Sequence, residues 1–361
     1  MKSRIYLDYN ATAPLRASAR TAMLDAMDLV GNPSSVHTEG RKAKAMLETA
    51  RGQVATALGA DGADVIFTSG ATEAAALGLA NASLTCSAIE HDAVTSYCEA
   101  NLACDAQGLV DVPSPNTSAL QYANSETGVL QSIPKDIIFC DMSQAFGKLP
   151  IAFNWTGAQM AAVSAHKIGG PKGVGALVVK RGTDIQAQIK GGGQERGRRS
   201  GTENLVGIAG FGAAAASAAK ELESGVWQEI EILRNFLENA IAEVDCGTTI
   251  VSRHMKRLPN TSCLVTRGWK GETQVVQMDL EHIAISAGSA CSSGKVKSSR
   301  VLKAMGFDDV AASSAIRIII GPKTTKGEVE RFLGCWTGKR NKYELKRAGY
   351  LPRTGANYVG N

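Results

Sequence analysis

Residues 64–73 read DVIFTSGATE, an apolar run followed by small residues and then by residues that favour a helix. The pattern predicts a short buried strand over residues 64–68, a tight turn, and a helix from Thr72. The free N–H groups at such a helix start form a cup that suits a phosphate. Many turns of this kind bind nothing, so the motif alone leaves phosphate binding open.

The same alternation continues outward from this motif. Apolar residues at helical spacing predict helices at residues 17–30, 39–58, 205–222 and 226–244. Apolar runs predict further strands at residues 137–140, 161–164 and 175–179. We therefore expect an α/β fold, with a mostly parallel sheet sandwiched by helices in a large domain, residues 16–235. Residues 1–15 and 236–361 are expected to form a smaller α+β domain.

Composition restricts the function classes. The 361 residues carry a net charge of +5 that is dispersed, which argues against a nucleic-acid surface, although Arg196, Arg198 and Arg199 need partners. No apolar segment suggests a signal peptide or a membrane span. The eight cysteines form no CxxC pair, so we expect neither a metal site nor a disulfide framework, and a cytoplasmic location.

Two positions carry candidate chemistry. Asp141 follows an apolar strand, and ligands of open α/β sheets gather at that edge. Lys167 lies in AAVSAHKIGGPKGVG, residues 161–175, between a strand and a glycine run. A desolvated lysine there would be a nucleophile for an aldehyde. Taken singly, a helix-capping aspartate and a surface lysine are the commoner interpretations, but a phosphate cup, an acid and a lysine in this order match what pyridoxal phosphate requires.

A third candidate is Cys291 in SACSSGKVKSSR, residues 289–300. Small, polar and basic neighbours cannot bury a thiol, which favours an accessible nucleophile on a mobile loop, about residues 287–300. The alternative is a surface loop with an incidental cysteine.

The chain resembles the cysteine desulfurases of the NifS/IscS type, in the class V aminotransferase group of fold-type I pyridoxal-phosphate enzymes. The resemblance runs in family order from residue 6 to about residue 335. The matching segments are YLDYNATAP (6–14), GNPSSVH (31–37), FTSGATE (67–73), IEHDAV (89–94), SAHK (164–167), GGGQERGRRSGTEN (191–204), LPNT (258–261) and SAGSACSSG (286–294).

The resemblance implies residue roles. Lys167 would carry the aldehyde of pyridoxal 5'-phosphate, Cys291 would be the catalytic nucleophile, and His91 would stack on the ring and relay protons. The implied phosphate ligands are Ala71, Thr72, Ser164, His166 and, from the partner of a homodimer, Thr202. Asp141 would pair with the ring nitrogen, with Gln144 and Ser125 near the ring hydroxyl. Arg317 and Asn32 would bind the substrate.

The implied reaction converts L-cysteine to L-alanine. Sulfur passes to Cys291 as a persulfide and then to an acceptor protein, such as an iron–sulfur scaffold. Some positions depart from the family pattern: Ser125 replaces an asparagine, and crossovers are shortened before Asn124 and between Pro134 and Ile137, which should uncover part of the sheet. Lys295, Lys297 and Arg300 are expected to lower the thiol pKa or to dock an acidic acceptor. The alternatives are a pyridoxal-phosphate-dependent C–S lyase or aminotransferase, and a non-catalytic partner of a desulfurase.

Overall fold

The computed structural model of the chain describes residues 3–80, 82–245, 247–288 and 298–349. The helices are α1 (Ala17–Met27), α2 (Thr38–Ala57), α3 (Ala71–Leu79), α4 (Asp92–Thr95), α5 (Phe153–Thr156), α6 (Leu205–Glu223), α7 (Val226–Val244), α8 (Gly271–Leu280), α9 (Arg300–Ala304), α10 (Asp309–Ser313) and α11 (Lys326–Arg347).

The strands are β1 (Ile5–Tyr6), β2 (Asp64–Thr68), β3 (Leu84–Ser87), β4 (Cys98–Leu102), β5 (Ala119–Gln121), β6 (Phe139–Asp141), β7 (Met160–Ser164), β8 (Gly175–Val179), β9 (Thr248–Ile250), β10 (Thr261–Thr266), β11 (Ile283–Ala284), β12 (Ser286–Ala287) and β13 (Ala315–Ile319).

The main sheet has the order β2-β8-β7-β6-β5, and a parallel bridge between Thr85 and Ser118 extends it to the β3-β4 pair. Strands β5, β6 and β7 are parallel, whereas β8 is antiparallel to both of its neighbours. One face packs against α2 and α6, and the other against α3. This is the expected α/β arrangement with a helix-covered, mostly parallel sheet.

A second, antiparallel sheet has the order β12-β13-β10-β9. Its core joins Ile5 and Leu7 with residues of α7, α8 and α11, so the first residues of the chain pack with the last helices. Trp227 and Ile230 of α7 belong to this core. We therefore propose that the boundary between the two domains lies before α7, rather than inside it at residue 235.

The shortened crossovers have a different effect from the one expected. Among the described residues no helix joins β5 to β6, yet Leu120 and Phe139 are 1% and 0% exposed, because α3 and the opposite core cover both faces. Exposure appears instead at the sheet edge, where Glu99, Ala100 and Asn101 of β4 face solvent. The polar sequence of β4 gave no strand signal.

Helix α6 is apolar along most of its length. Within the described residues it is the one helix long and apolar enough to cross a membrane by length and composition, although sequence analysis predicted no such segment. Half of it is buried inside the protein, and it packs against α1 and α2. Core helices pass the same test.

Candidate active site

Lys167 lies just beyond the carboxyl end of β7, in a single 3₁₀ turn, Ala165–Ile168. Its Nζ donates to the backbone oxygens of Asn10 and Ala11, at 2.7 and 3.0 Å. The lysine is half-buried, and the chain segment after β1 is folded against it. The amine is therefore held at the sheet edge where ligands of this fold class bind.

Asp141 and Gln144 reach the same edge from the neighbouring strand. Asp141 ends β6 and stands in register with Ala162 of β7. Its Oδ1 accepts from the Ser143 backbone N–H at 2.9 Å, which fixes the carboxylate. Gln144 is 7% exposed, and its Nε2 donates to the Asn10 carbonyl at 3.0 Å. The sequence-predicted trio of Lys167, Asp141 and Gln144 is thus gathered at one edge.

Asn10 is the residue that connects this edge, and sequence reasoning missed it as a site residue. Its carbonyl accepts from Lys167 and Gln144, and its Oδ1 accepts from Lys148 at 2.8 Å. Its Nδ2 donates to Thr261 Oγ1 at 3.0 Å and to the Ser125 carbonyl at 3.3 Å. The available sequence signal was the position of Asn10 inside the family segment YLDYNATAP, residues 6–14.

The first turn of α3 follows β2, which is separated from β7 by β8 in the sheet. Ser164 of β7 pairs with Gly175 of β8, and a Cβ at Gly175 would come within 2.8 Å of the Gly70 backbone that precedes α3. The glycine is required because the two backbones touch there. The N–H groups of Ala71 and Thr72 open this nine-residue helix beside Ser164, which favours an anion.

His166 adds a buried nitrogen to this corner. Its Nδ1 has no hydrogen-bond partner among the described residues. Burial, with Lys167, Lys172 and Lys148 nearby, lowers the pKa of His166 to about 4. A neutral imidazole with an unpartnered buried nitrogen, beside a helix N-terminus and a lysine, fits the phosphate and aldehyde ends of pyridoxal 5'-phosphate.

The arginines of residues 196–199 are paired within the chain. Arg196 and Arg198 contact Asp64 at 2.6 and 2.7 Å, and Arg199 contacts Glu73 at 2.7 Å. Burial opposes ionisation of Glu73, but the hydrogen bonds from Arg199 and Ser69 outweigh it and lower the pKa of that carboxyl. Arg196 and Arg198 are therefore tied to the start of β2 and Arg199 to the first turn of α3, and the charge of the cluster is accounted for without a nucleic acid.

Arg317 is buried on β13, at 7% exposure, on the side of the second domain. Its Nη1 donates to the Ser125 carbonyl at 3.4 Å, and its Nη2 lies 3.9 Å from Asp8 Oδ1. Its Nε is buried without a hydrogen-bond partner among the described residues. A buried guanidinium with an unused donor is suited to a carboxylate ligand.

Ser125 enters the site through its backbone. Its carbonyl accepts from both Asn10 and Arg317. The turn that carries it is held by Asn124 Oδ1, which accepts from the N–H groups of Glu126 and Thr127, both at 2.9 Å. The serine therefore joins the two domains at the site through an atom that any residue type would supply.

His91 lies at the exposed border of the site region. It caps α4 by accepting from the Ala93 N–H at 3.1 Å. The preceding Glu90 is buried and accepts from the Gln121 N–H at 2.7 Å, which anchors the turn to β5. Burial raises the pKa of Glu90 well above its usual range.

Two of the sequence-predicted residues are not joined to this cluster. Asn32 is exposed, and its side chain accepts from the Ser34 N–H two residues away. Thr202 is exposed and lines a cavity of about 250 Å³ with Thr68 and Ser69 of the same chain. Their roles as substrate and cofactor ligands stay predictions.

Cys291, Lys295 and Lys297 lie outside the described residues, so their predicted roles are not tested. On the N-terminal side of this segment, a Cβ added at Gly288 would come within 2.9 Å of Glu126 Oε1. On the other side, Arg300 pairs with Asp92 at 2.7 Å and donates to the Glu90 carbonyl at 2.6 Å. Arg300 thus ties the end of this segment to the turn that carries His91.

The part of the chain that the structure describes contains no group of three or more His, Cys, Asp and Glu side chains placed to hold a metal ion.

Comparison with known proteins assigns the class. The family model for aminotransferase class-V matches residues 5–107 and 103–332. The chain therefore belongs to the class-V aminotransferase family, whose enzymes use pyridoxal 5'-phosphate.

Individual relatives narrow the class further. The cysteine desulfurase of Cereibacter sphaeroides is 35% identical over 91% of this chain and 94% of its own length. The structure of a NifS-like protein from Rickettsia africae is 33% identical, with a TM-score of 0.85 over 94% of this chain and 99% of that one. SspA, solved in complex with cysteine, is 29% identical, with a TM-score of 0.73 over 89% of this chain and all of that one. The predicted resemblance to the cysteine desulfurases is confirmed.

Proposed function

We propose that the protein is a cysteine desulfurase that binds pyridoxal 5'-phosphate at Lys167 and releases L-alanine from L-cysteine. One observation carries the proposal. Lys167 donates to the Asn10 carbonyl, and the Asn10 side chain meets Arg317 at the Ser125 carbonyl. An α-amino acid substrate carries an amine and a carboxylate. The cofactor on Lys167 would react with the amine and the buried Arg317 would bind the carboxylate, and the hydrogen bonds of Asn10 link these two residues.

The cofactor, when bound, supplies an aldehyde for the substrate amine and a ring that takes up electrons from the α-carbon. Asp141 would hold the ring nitrogen protonated, and Gln144 would lie near the ring hydroxyl. His166, Ser164 and the start of α3 would bind the phosphate. Lys167 removes the proton from the substrate α-carbon and returns a proton during release, while Arg317 orients the carboxylate.

Cys291 completes the reaction in this proposal. Its thiolate attacks the substrate Sγ, so that an S–S bond forms as the Cβ–Sγ bond breaks. The carbon fragment gains a proton and leaves as alanine, and the sulfur stays on Cys291 as a persulfide. An acceptor protein then takes this sulfur. In this proposal His91 relays protons between the site and solvent.

The direct test mixes purified protein, pyridoxal 5'-phosphate, L-cysteine and a thiol reductant, and measures alanine, sulfide, pyruvate and ammonia. We expect alanine and sulfide in equal amounts, with both lost in C291A and K167A. Pyruvate with ammonia would instead identify a C–S lyase. No turnover, with or without candidate acceptor proteins, would identify a non-catalytic partner of a desulfurase.

We further propose a cytoplasmic homodimer in which Thr202 of one subunit serves the other subunit's phosphate site. Leu24 and Met27 of α1 are 56% and 60% exposed, and Val30 is 79% exposed, which supports a covered apolar surface in the assembly. Light scattering should give twice the chain mass. A monomeric mass at assay concentration would contradict this part of the proposal.

A further inference from the structure

Lys148 is a buried lysine that the proposed reaction leaves unused. It is 3% exposed and lies four residues after Gln144. Its Nζ donates to Gln144 Oε1 and to Asn10 Oδ1, both at 2.8 Å. Over the ranges that the structure covers, no carboxylate forms an ion pair or a hydrogen bond with it. A lysine buried among neutral acceptors is rare, because burial without a countercharge is costly.

The hydrogen bonds of Lys148 fit a neutral amine. A neutral amine has two hydrogens to donate, and two acceptors surround the Lys148 amine, Gln144 Oε1 and Asn10 Oδ1. Burial, as the larger cause, and the nearby Lys167 hold the pKa of Lys148 well below its usual range. A neutral Lys148 adds no charge beside Lys167, so the reactive lysine is not forced to share the site with a second cation.

The contacts of Lys148 also fix its neighbours. Since Gln144 Oε1 accepts from Lys148, the amide is oriented with Nε2 as the outward donor, and Nε2 donates to the Asn10 carbonyl. That same carbonyl accepts from Lys167. Lys148 therefore contacts the side chains of Gln144 and Asn10, and the Lys167 amine donates to the backbone carbonyl of that same Asn10.

We propose that Lys148 is a positioning residue of the cofactor site: by donating to Gln144 and Asn10 it sets the orientation of the Gln144 amide and the place of the Lys167 amine. The inference rests on the proposed function. It adds Lys148, which takes no direct part in the proposed reaction. Lys148 acts through Gln144 and Asn10 rather than by touching the substrate.

The test uses the cofactor-free full chain and 4'-deoxypyridoxine 5'-phosphate, which lacks the aldehyde and so reports ring and phosphate contacts alone. K148M removes both donated hydrogen bonds, which leaves Gln144 Oε1 without its donor and Asn10 Oδ1 with only the Asn260 Nδ2 at 3.3 Å. We expect the dissociation constant, measured by fluorescence titration, to rise about tenfold. K148Q keeps an NH₂ donor and should stay within about threefold of wild type. K180M, a change at an exposed lysine beyond β8, is the matched control and should not alter binding.

A double-mutant cycle separates positioning from general stability. If Lys148 acts through Gln144, K148M should add less than about twofold to the effect of Q144A, because the amide that it orients is already gone. Should K148M fail to fold, K148N replaces it. Asparagine keeps the amide group of K148Q, but its side chain is one methylene shorter than that of glutamine.

Three results would overturn the inference: unchanged binding in K148M, equal losses in K148M and K148Q, or effects of K148M and Q144A that multiply fully. Each would leave the proposed function standing if wild-type protein binds pyridoxal 5'-phosphate and converts L-cysteine. Wild-type protein that binds neither the cofactor nor its analogue would overturn both.

Discussion

The sheet edge around Lys167 and the turn around His91 are built by opposite rules. At the sheet edge, Asn10, Gln144 and Lys148 are all less than 10% exposed and are joined by hydrogen bonds between buried atoms. At the turn, His91 is exposed and Arg300 pairs with a half-exposed Asp92. Under the proposed function, the sheet edge holds a cofactor at fixed geometry and needs buried, satisfied polar groups, whereas the turn serves sulfur transfer to another protein and needs access.

The largest effect should come from Lys167. In the proposed mechanism Lys167 attaches the cofactor and moves the substrate proton, so in K167A the rate of alanine formation should fall about 10³-fold or more. The measurement is alanine release under saturating L-cysteine and cofactor. K172A, which changes the lysine five residues further on, is the matched control, and a similar loss in both variants would contradict the assignment of Lys167.

Arg317 should give the next largest effect, because in the proposed mechanism its buried guanidinium orients the substrate carboxylate. R317A should lower kcat/KM for L-cysteine about a hundredfold, and R317K should lower it about tenfold, since lysine keeps the charge but loses the two-pronged geometry. Binding of the cofactor should stay near the wild-type value in both variants. A loss of cofactor binding equal to the loss of kcat/KM would show that Arg317 serves the fold rather than the substrate.

His166 allows the buried region to be tested by pH, without turnover. Its folded-state pKa of about 4 lies below the unfolded value of 6.5, so the unfolded chain binds more protons between these two values. The stability of the cofactor-free protein should therefore fall as the pH drops from about 6.5 to about 4. Because the imidazole is only partly screened from solvent, we expect this loss to be about 1–2 kcal/mol relative to H166Q.

Urea unfolding of both proteins across this pH range measures the difference. Parallel curves for wild type and H166Q would show that His166 is not held neutral by burial. The exposed His37, whose ring contacts Glu39 at the surface, provides the control: H37Q should leave the wild-type pH dependence in place.

Arg300 should give the smallest effect. R300A breaks an ion pair whose side chains are 45% and 55% exposed and a hydrogen bond to the Glu90 carbonyl, so the free energy of unfolding should fall by about 1 kcal/mol. Urea unfolding should give a similar value for R267A, whose partner Asp308 is equally exposed. A loss of several kcal/mol in R300A would mean that the turn around His91 is as rigid as the sheet edge.

Much of the fold follows from local patterns. The bounds of β2, β8 and α7 are those that hydrophobic periodicity predicts, because each is a strongly apolar or amphipathic segment with clear limits. Strand β6 begins two residues later than predicted, after a turn in which Asp136 has a φ of 65°. Strand β4 was missed because its exposed CEANL sequence lacks the alternation of a half-buried strand.

The candidate site was predicted only in part. Asp141 and Lys167 follow apolar strands, so their place at the sheet edge can be predicted from sequence order. Asn10 and Lys148 could not be assigned that way, because their function lies in contacts between residues up to 251 positions apart in the chain. The pairing of Arg300 with Asp92 likewise joins distant segments. The expectation that this arginine lowers the thiol pKa or docks an acidic acceptor stays a prediction.

The most direct test of the account is a single turnover followed by mass spectrometry. Wild-type protein loaded with pyridoxal 5'-phosphate is mixed with one equivalent of L-cysteine in the absence of reductant, and the peptide that contains Cys291 is analysed. We expect the addition of one sulfur atom to Cys291 with one equivalent of alanine released, and neither product in K167A. Alanine without sulfur on Cys291, or sulfur on Cys291 that persists in K167A, would contradict this expectation.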